Sequence, residues 1–138
     1  GTYAGNVYLW DIGTKQVVPI VQLPGFIQAL SWNNSGTQIA ITNLWDQVIW
    51  DTVLHQKVIS LQKVTDSIHS LSWHPNGDYI IGASQQGNLV IWNAKDGQVL
   101  QQYSVGNSVI TSVAWNKAGT MLAVTLADGT TKLFETNI

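Results

Sequence analysis

Tryptophan returns in this chain at a fixed spacing. Trp10, Trp50 and Trp92 each close an apolar, strand-like run and Phe134 closes the next, at steps of 40, 42 and 42 residues. A second series, Trp32, Trp73 and Trp115, at steps of 41 and 42, precedes turns that end in Gly36, Gly77 and Gly119. Self-similarity at this period marks one supersecondary unit copied along the chain. Each copy can bury its apolar faces only against its neighbours. The pattern therefore constrains architecture far more than it constrains a ligand.

A period near 42 also suits paired helices, so the choice rests on what fills it. Short runs such as Val7 to Trp10, Gln38 to Ile41, Val58 to Leu61, Tyr79 to Ile81 and Leu89 to Trp92 are rich in β-branched and aromatic residues. Turn residues separate them every eight to twelve positions, and no long window carries a helical stripe. Strands fill the repeat.

Aligned by repeat, the first strands are Phe26 to Trp32, Ser67 to Trp73 and Val109 to Trp115. Each runs into a tight hairpin, Asn33 to Gly36, His74 to Gly77 and Asn116 to Gly119, where glycine supplies a positive φ without steric penalty. A second strand follows, then the strand that ends in the periodic aromatic: Gln47 to Trp50, Asn88 to Trp92 and Thr130 to Phe134. Fourth strands are expected over Gln56 to Val64 and Gln98 to Val105.

These residues resemble the WD-repeat β-propeller family, whose blades are four-stranded antiparallel sheets around a channel. Trp10-Asp11 and Trp50-Asp51 carry the Trp-Asp pair; Trp92-Asn93 and Phe134-Glu135 are variants of it. The resemblance spans the whole chain. It departs from the family in the histidine, serine or threonine, and aspartate that often bond to the tryptophan. Leu23, Val64 and Gly106 stand near the histidine positions, Gly82 and Val124 stand where serine belongs, and only Asp128 keeps its turn. Each lost bond forfeits about 1 kcal/mol, so stability should lean on tryptophan packing.

The expected organisation is one all-β propeller segment over 1–138: a partial blade at 1–24, blades at 25–65 and 66–106, and an incomplete blade at 107–138. Rings close with about four to eight blades, so about three cannot close within one chain. An open blade face of ~320 Å² leaves on the order of 8 kcal/mol of burial unrealised. Two arrangements follow. The chain is part of a larger propeller, as its C-terminal half, since by resemblance such rings often end after a third strand and borrow the fourth from the N-terminus. Alternatively, two copies form a six-bladed ring in which Gln16 to Leu23 of one completes the last blade of the other. The strand Asn6 to Asp11 would then be redundant, which favours the first arrangement.

Composition narrows the partner. Charged residues are 10% of the chain, all six cations are lysine, and the net charge is -2. Without arginine or a basic footprint, nucleic acid is not an expected partner. There is no cysteine and no apolar run near the ~20 residues of a membrane helix. No membrane partner is expected, and an intracellular chain, cytoplasmic or nuclear, is the default. The three histidines are not placed to converge on a metal: His55 begins a fourth strand, His69 lies in a first strand, and His74 is expected to face solvent in a hairpin. No phosphate loop, nucleophile elbow or paired-carboxylate motif is present, so no cofactor, metal or catalytic residue is assigned.

Six of the seven tryptophans hold matching repeat positions and are expected in the blade-to-blade core. Trp45 alone is off the spacing, in the shortened turn Leu44-Trp45-Asp46. By the resemblance that turn lies on the partner-binding face, so Trp45 is the first contact candidate. Folding over the neighbouring blade is the equal alternative. The same resemblance places Phe26, Gln28, Ser67, His69, Val109 and Thr111, with Asp46, Gln85 and Ala127 in the turns, on that face. Such a rim, aromatic and amide with little charge, suits a peptide or protein. The expected function is a non-catalytic scaffold for protein interaction, with a carbohydrate-binding propeller or a self-assembling half-propeller as rivals.

Overall fold

The computed structural model describes residues 1–136, and among them the secondary structure is entirely β. The last boundary expected from sequence, Ile138, lies outside the described residues. β1 (Asn6–Trp10) and β2 (Val17–Gln22) form an antiparallel pair. β3 (Ile27–Trp32), β4 (Gln38–Asn43), β5 (Gln47–Asp51) and β6 (Gln56–Ser60) make one four-stranded meander, and β7 (Ile68–Trp73), β8 (Tyr79–Ser84), β9 (Asn88–Asn93) and β10 (Val99–Ser104) make another. β11 (Ile110–Trp115), β12 (Met121–Leu126) and β13 (Thr131–Glu135) form a three-stranded sheet. The expected blade architecture is present and the ring is open. Among the described residues no helix is long and apolar enough to cross a membrane.

Blades are held by three apolar layers, one at each blade junction. Val7, Ile20, Ile39, Ile41 and Val48 join the first pair to the second sheet. Ala40, Ile49, Leu61, Ile68, Ile80 and Trp92 join the second to the third. Ile81, Leu89, Ile91, Ile110, Leu122 and Val124 join the third to the fourth. The periodic aromatics lean towards the preceding blade: Trp50 packs on the first layer, Trp92 sits in the second and Phe134 packs on the third.

Trp92 is 0% exposed, and its Nε1 donates to Gln62 O at 2.9 Å. The indole lies directly over Gly82, where a Cβ would stand 2.6 and 2.8 Å from its ring carbons. The absence of serine at position 82 thus has a steric cause: the tryptophan occupies the space a side chain would need.

Two of the six periodic tryptophans depart from the core expectation. Trp10 is 64% exposed and Trp32 46%. Burial of such a residue comes from the blade before its own. Among the described residues no strand precedes β1, and the first pair covers β4 and β5 without an inner strand to cover β3. His74 corrects the sequence reading in the opposite direction. It is 5% exposed, its ring meets Trp115 edge-on at 4.6 Å, and its Nε2 lies 2.9 Å from Gly119 O of the next hairpin. The fourth strand also stops at Ser60 rather than Val64, because Leu61 turns into the core and Gln62 N donates to Gly97 O of the next blade at 2.6 Å.

The aspartate of the Trp-Asp pair builds the turn after the third strand. Asp11 Oδ1 accepts from Gly13 N at 2.8 Å and Thr14 N at 2.9 Å, and Asp51 Oδ1 from Val53 N at 2.9 Å and Leu54 N at 2.8 Å. Asn93 does the same for Lys95 N at 2.8 Å, which explains why asparagine substitutes there. The Thr14 and Leu54 amides lead in holding the Asp11 and Asp51 carboxyls below the ordinary carboxylate range. A lowered folded pKa contributes stability above the unfolded value, and that contribution is lost as pH falls through the folded value. Melting temperature should therefore hold steady to about pH 5 and fall below about pH 4, and Asp11→Asn with Asp51→Asn should flatten that fall in thermal melts.

The same turn contains a left-handed position, occupied by Lys15 (φ 59°), His55 (φ 53°) and Gly97 (φ 75°) in successive blades. A side chain there is strained, so His55→Gly is expected to stabilise the chain by about 0.5–1 kcal/mol, read from the denaturant midpoint at constant m.

Candidate functional site

At the inner edge β3 lies against β7 and β7 against β11. Serine hydroxyls join them: Trp73 N donates to Ser31 Oγ at 2.9 Å, Val113 N to Ser70 Oγ at 3.2 Å and Trp115 N to Ser72 Oγ at 3.3 Å. Each inner strand carries one extra residue opposite its partner, a β-bulge at Gln28, His69 and Thr111. The bulged side chains of the first two reach the next blade. The Gln28 amide meets the Ser67 hydroxyl at 2.6 Å, and His69 Nε2 bonds Ile110 O. Thr111 instead pairs with Thr125 Oγ1 of its own sheet at 2.8 Å.

The segments leading into the inner strands and the turns between second and third strands share one end of the blades, and each blade ties them together differently. Asn43 Nδ2 donates to Pro24 O at 2.9 Å. Asp66 Oδ2 accepts from Ser84 Oγ at 3.1 Å and Asn88 Nδ2 at 2.7 Å. In the last sheet Ala127 N donates to Val109 O at 2.8 Å. Of the ten residues singled out from the sequence, Trp45, Asp46, Gln85 and Ala127 lie in the turns, Phe26, Ser67 and Val109 in the segments leading into the inner strands, and Gln28, His69 and Thr111 at the bulges of those strands. Trp45, Gln85, Val109, Thr111 and Ala127 are exposed, while Phe26, Gln28, Asp46, Ser67 and His69 are half-buried.

Trp45 is the most elaborately placed. Asn43, fully buried, accepts from Trp45 N at 2.8 Å and Asp46 N at 2.6 Å through Oδ1, which fixes the short turn. One edge of the indole closes on the backbone of Gly25, where a Cβ would stand 2.2 Å from Cζ3, and the residue remains 52% exposed. Trp45 therefore rests on backbone of its own blade, not of the neighbouring one, and still shows half its surface. Beside it a groove of about 200 Å³ runs between the turn and the end of β6. Asn43 and Asp66 were not singled out from sequence, although Asn43 shares its repeat position with Ser84, a visible sign of a turn-capping role. Among the described residues no group of three or more His, Asp or Glu is placed to hold a metal ion.

Comparison with known proteins agrees with this geometry. A family model described as the anaphase-promoting complex subunit 4 WD40 domain matches residues 30–111, and the WD domain, G-beta repeat model matches residues 97–135. The chain is 28% identical over 96 residues to a periodic tryptophan protein 2 homolog of Schizosaccharomyces pombe, covering 67% of this chain and 11% of that protein. It is 25% identical over 142 residues to eukaryotic translation initiation factor 3 subunit I of Bombyx mori, covering 94% of this chain and 43% of that protein. A chain of the crystal structure of the mitotic checkpoint complex shares the fold, with a TM-score of 0.84 at 17% identity over 95% of this chain and 41% of that one. The chain thus spans less than half the length of these relatives. Repeat, blade topology and family match coincide over the same residues, and the chain belongs to the WD-repeat β-propeller family.

Proposed function

We propose that the chain is a non-catalytic scaffold segment that binds protein partners through the Trp45 rim, as the C-terminal half of a larger propeller. One observation carries the reading: a buried asparagine and a glycine hold a large aromatic side chain half-exposed in a fixed turn. Rigid aromatic anchors bind at low entropic cost and dominate interface energetics. The family model and the Bombyx mori relative are both named as subunits, which supports protein partners.

Two features support further blades. The segment before β1 repeats an internal turn: Asn6 N donates to Thr2 Oγ1 at 3.1 Å as Asn88 N donates to Ser84 Oγ at 3.1 Å, so Thr2 stands where a second strand ends. At the other end, β13 has no second partner strand among the described residues, and beside it lies a cavity of about 280 Å³ lined by Tyr103, Trp115 and Phe134, where a fourth strand would pack. Size exclusion with light scattering tests this on residues 1–138: a tight dimer favours the self-assembling half-propeller, and aggregation or a compact monomer counts against it.

For the rim, Trp45→Ala should abolish capture of the partner while shifting the melting temperature by less than about 4 °C. Retained capture overturns the reading, and loss of the fold assigns Trp45 to packing.

A further inference from the structure

We infer that the groove beside Trp45 receives a cationic side chain, lysine or arginine, from an extended segment of the partner; this deepens the rim reading and rests on it. The groove is lined by Trp45, Asp46, Gln47, Ser60 and Lys63, together with apolar Val48 and Leu61. Two of these groups attract a cation. The indole offers a negative π face held in position by Asn43 and Gly25. Asp46 makes no ion pair among the described residues, where the recorded pair is Lys95 with Asp78. Gln47 is 5% exposed, yet its Oε1 has no hydrogen-bond donor. That oxygen is sealed from solvent, so Gln47 shapes the wall of the groove and does not contact what enters it.

An ammonium or guanidinium group supplies both complements: charge for Asp46 and a cation for the indole. An acidic side chain would meet the Asp46 carboxylate, and an aliphatic one would leave that carboxylate without a counter-charge. The chain's net charge of -2 and lack of arginine favour a basic partner in the same direction. Lys63 is the opposing element. It is exposed and makes no ion pair among the described residues, so it repels an entering cation and sets the sign of a second test.

The experiment uses the intact protein labelled with 5-fluorotryptophan, the Trp45 resonance assigned through Trp45→Phe. The probes are N-acetyl-lysine N-methylamide and its arginine counterpart, with the glutamine counterpart and N-acetylglucosamine as comparators. Both cationic probes should shift Trp45 saturably with dissociation constants of about 1–10 mM. Asp46→Asn should weaken them about three- to five-fold, Lys63→Met should tighten them about two-fold, and added salt should shrink both effects. An equal shift by the glutamine probe, a shift by the sugar alone, reversed signs for the two charge variants, or no saturable shift would each overturn the inference. The rim reading stands or falls separately, on whether Trp45→Ala abolishes capture of the partner.

Discussion

Trp92→Ala is expected to destabilise the chain by about 3–5 kcal/mol, whereas Trp10→Ala should change stability by less than about 0.5 kcal/mol. The two residues hold the same repeat position and the same chemistry, so the contrast isolates burial. Trp92 fills the layer between the two complete blades and satisfies its N–H on Gln62 O. Trp10 faces solvent. Guanidinium unfolding followed by circular dichroism checks the difference. Because the lost ring joins two blades, the Trp92 variant should also unfold over a broader transition, as nearest-neighbour coupling in a repeat array weakens.

Gly82→Ala should cost about 1–3 kcal/mol, an unusual result for adding one methyl group to a strand. Glycine in a strand interior is ordinarily the weaker choice, so alanine would be expected to help. Here the added carbon would lie 2.6 Å from the Trp92 ring and 2.8 Å from a methyl carbon of Ile68. A double-mutant cycle with Trp92→Leu gives the decisive measurement: the alanine substitution should cost less once the ring is shortened, with a coupling energy above about 1 kcal/mol, and the Ile68 contact should retain the rest of the cost. Additive effects would show that the close approach does not govern position 82.

Residues whose environment is set within their own copy were legible in the sequence. The hairpins ending in Gly36, Gly77 and Gly119 close with N–H to carbonyl bonds of 3.1, 2.9 and 3.0 Å where the turn residues placed them. The strand order follows from the same repetition. Residues whose environment comes from the neighbouring copy were not. His74 looks like a hairpin tip until the next hairpin brings Gly119 O and Trp115 onto it. Trp32 looks like core until the covering strands are counted. The rim was legible as a location, because the turns mark it, and illegible as a site: Asn43 clamping Trp45 depends on an Asx-type turn that asparagine in a strand does not announce.

The bulges at Gln28, His69 and Thr111 have an evolutionary consequence. An inserted residue outside the pairing ladder carries no register information, so its identity can drift without moving the strands on either side. The three blades already show an amide, an imidazole and a hydroxyl at that one position on an otherwise similar frame. Because Gln28 and His69 each bond to the next blade, a change at either trades a link between blades for new chemistry on the inner edge, whereas Thr111, bonded within its own sheet, can change with the blade-to-blade contacts intact.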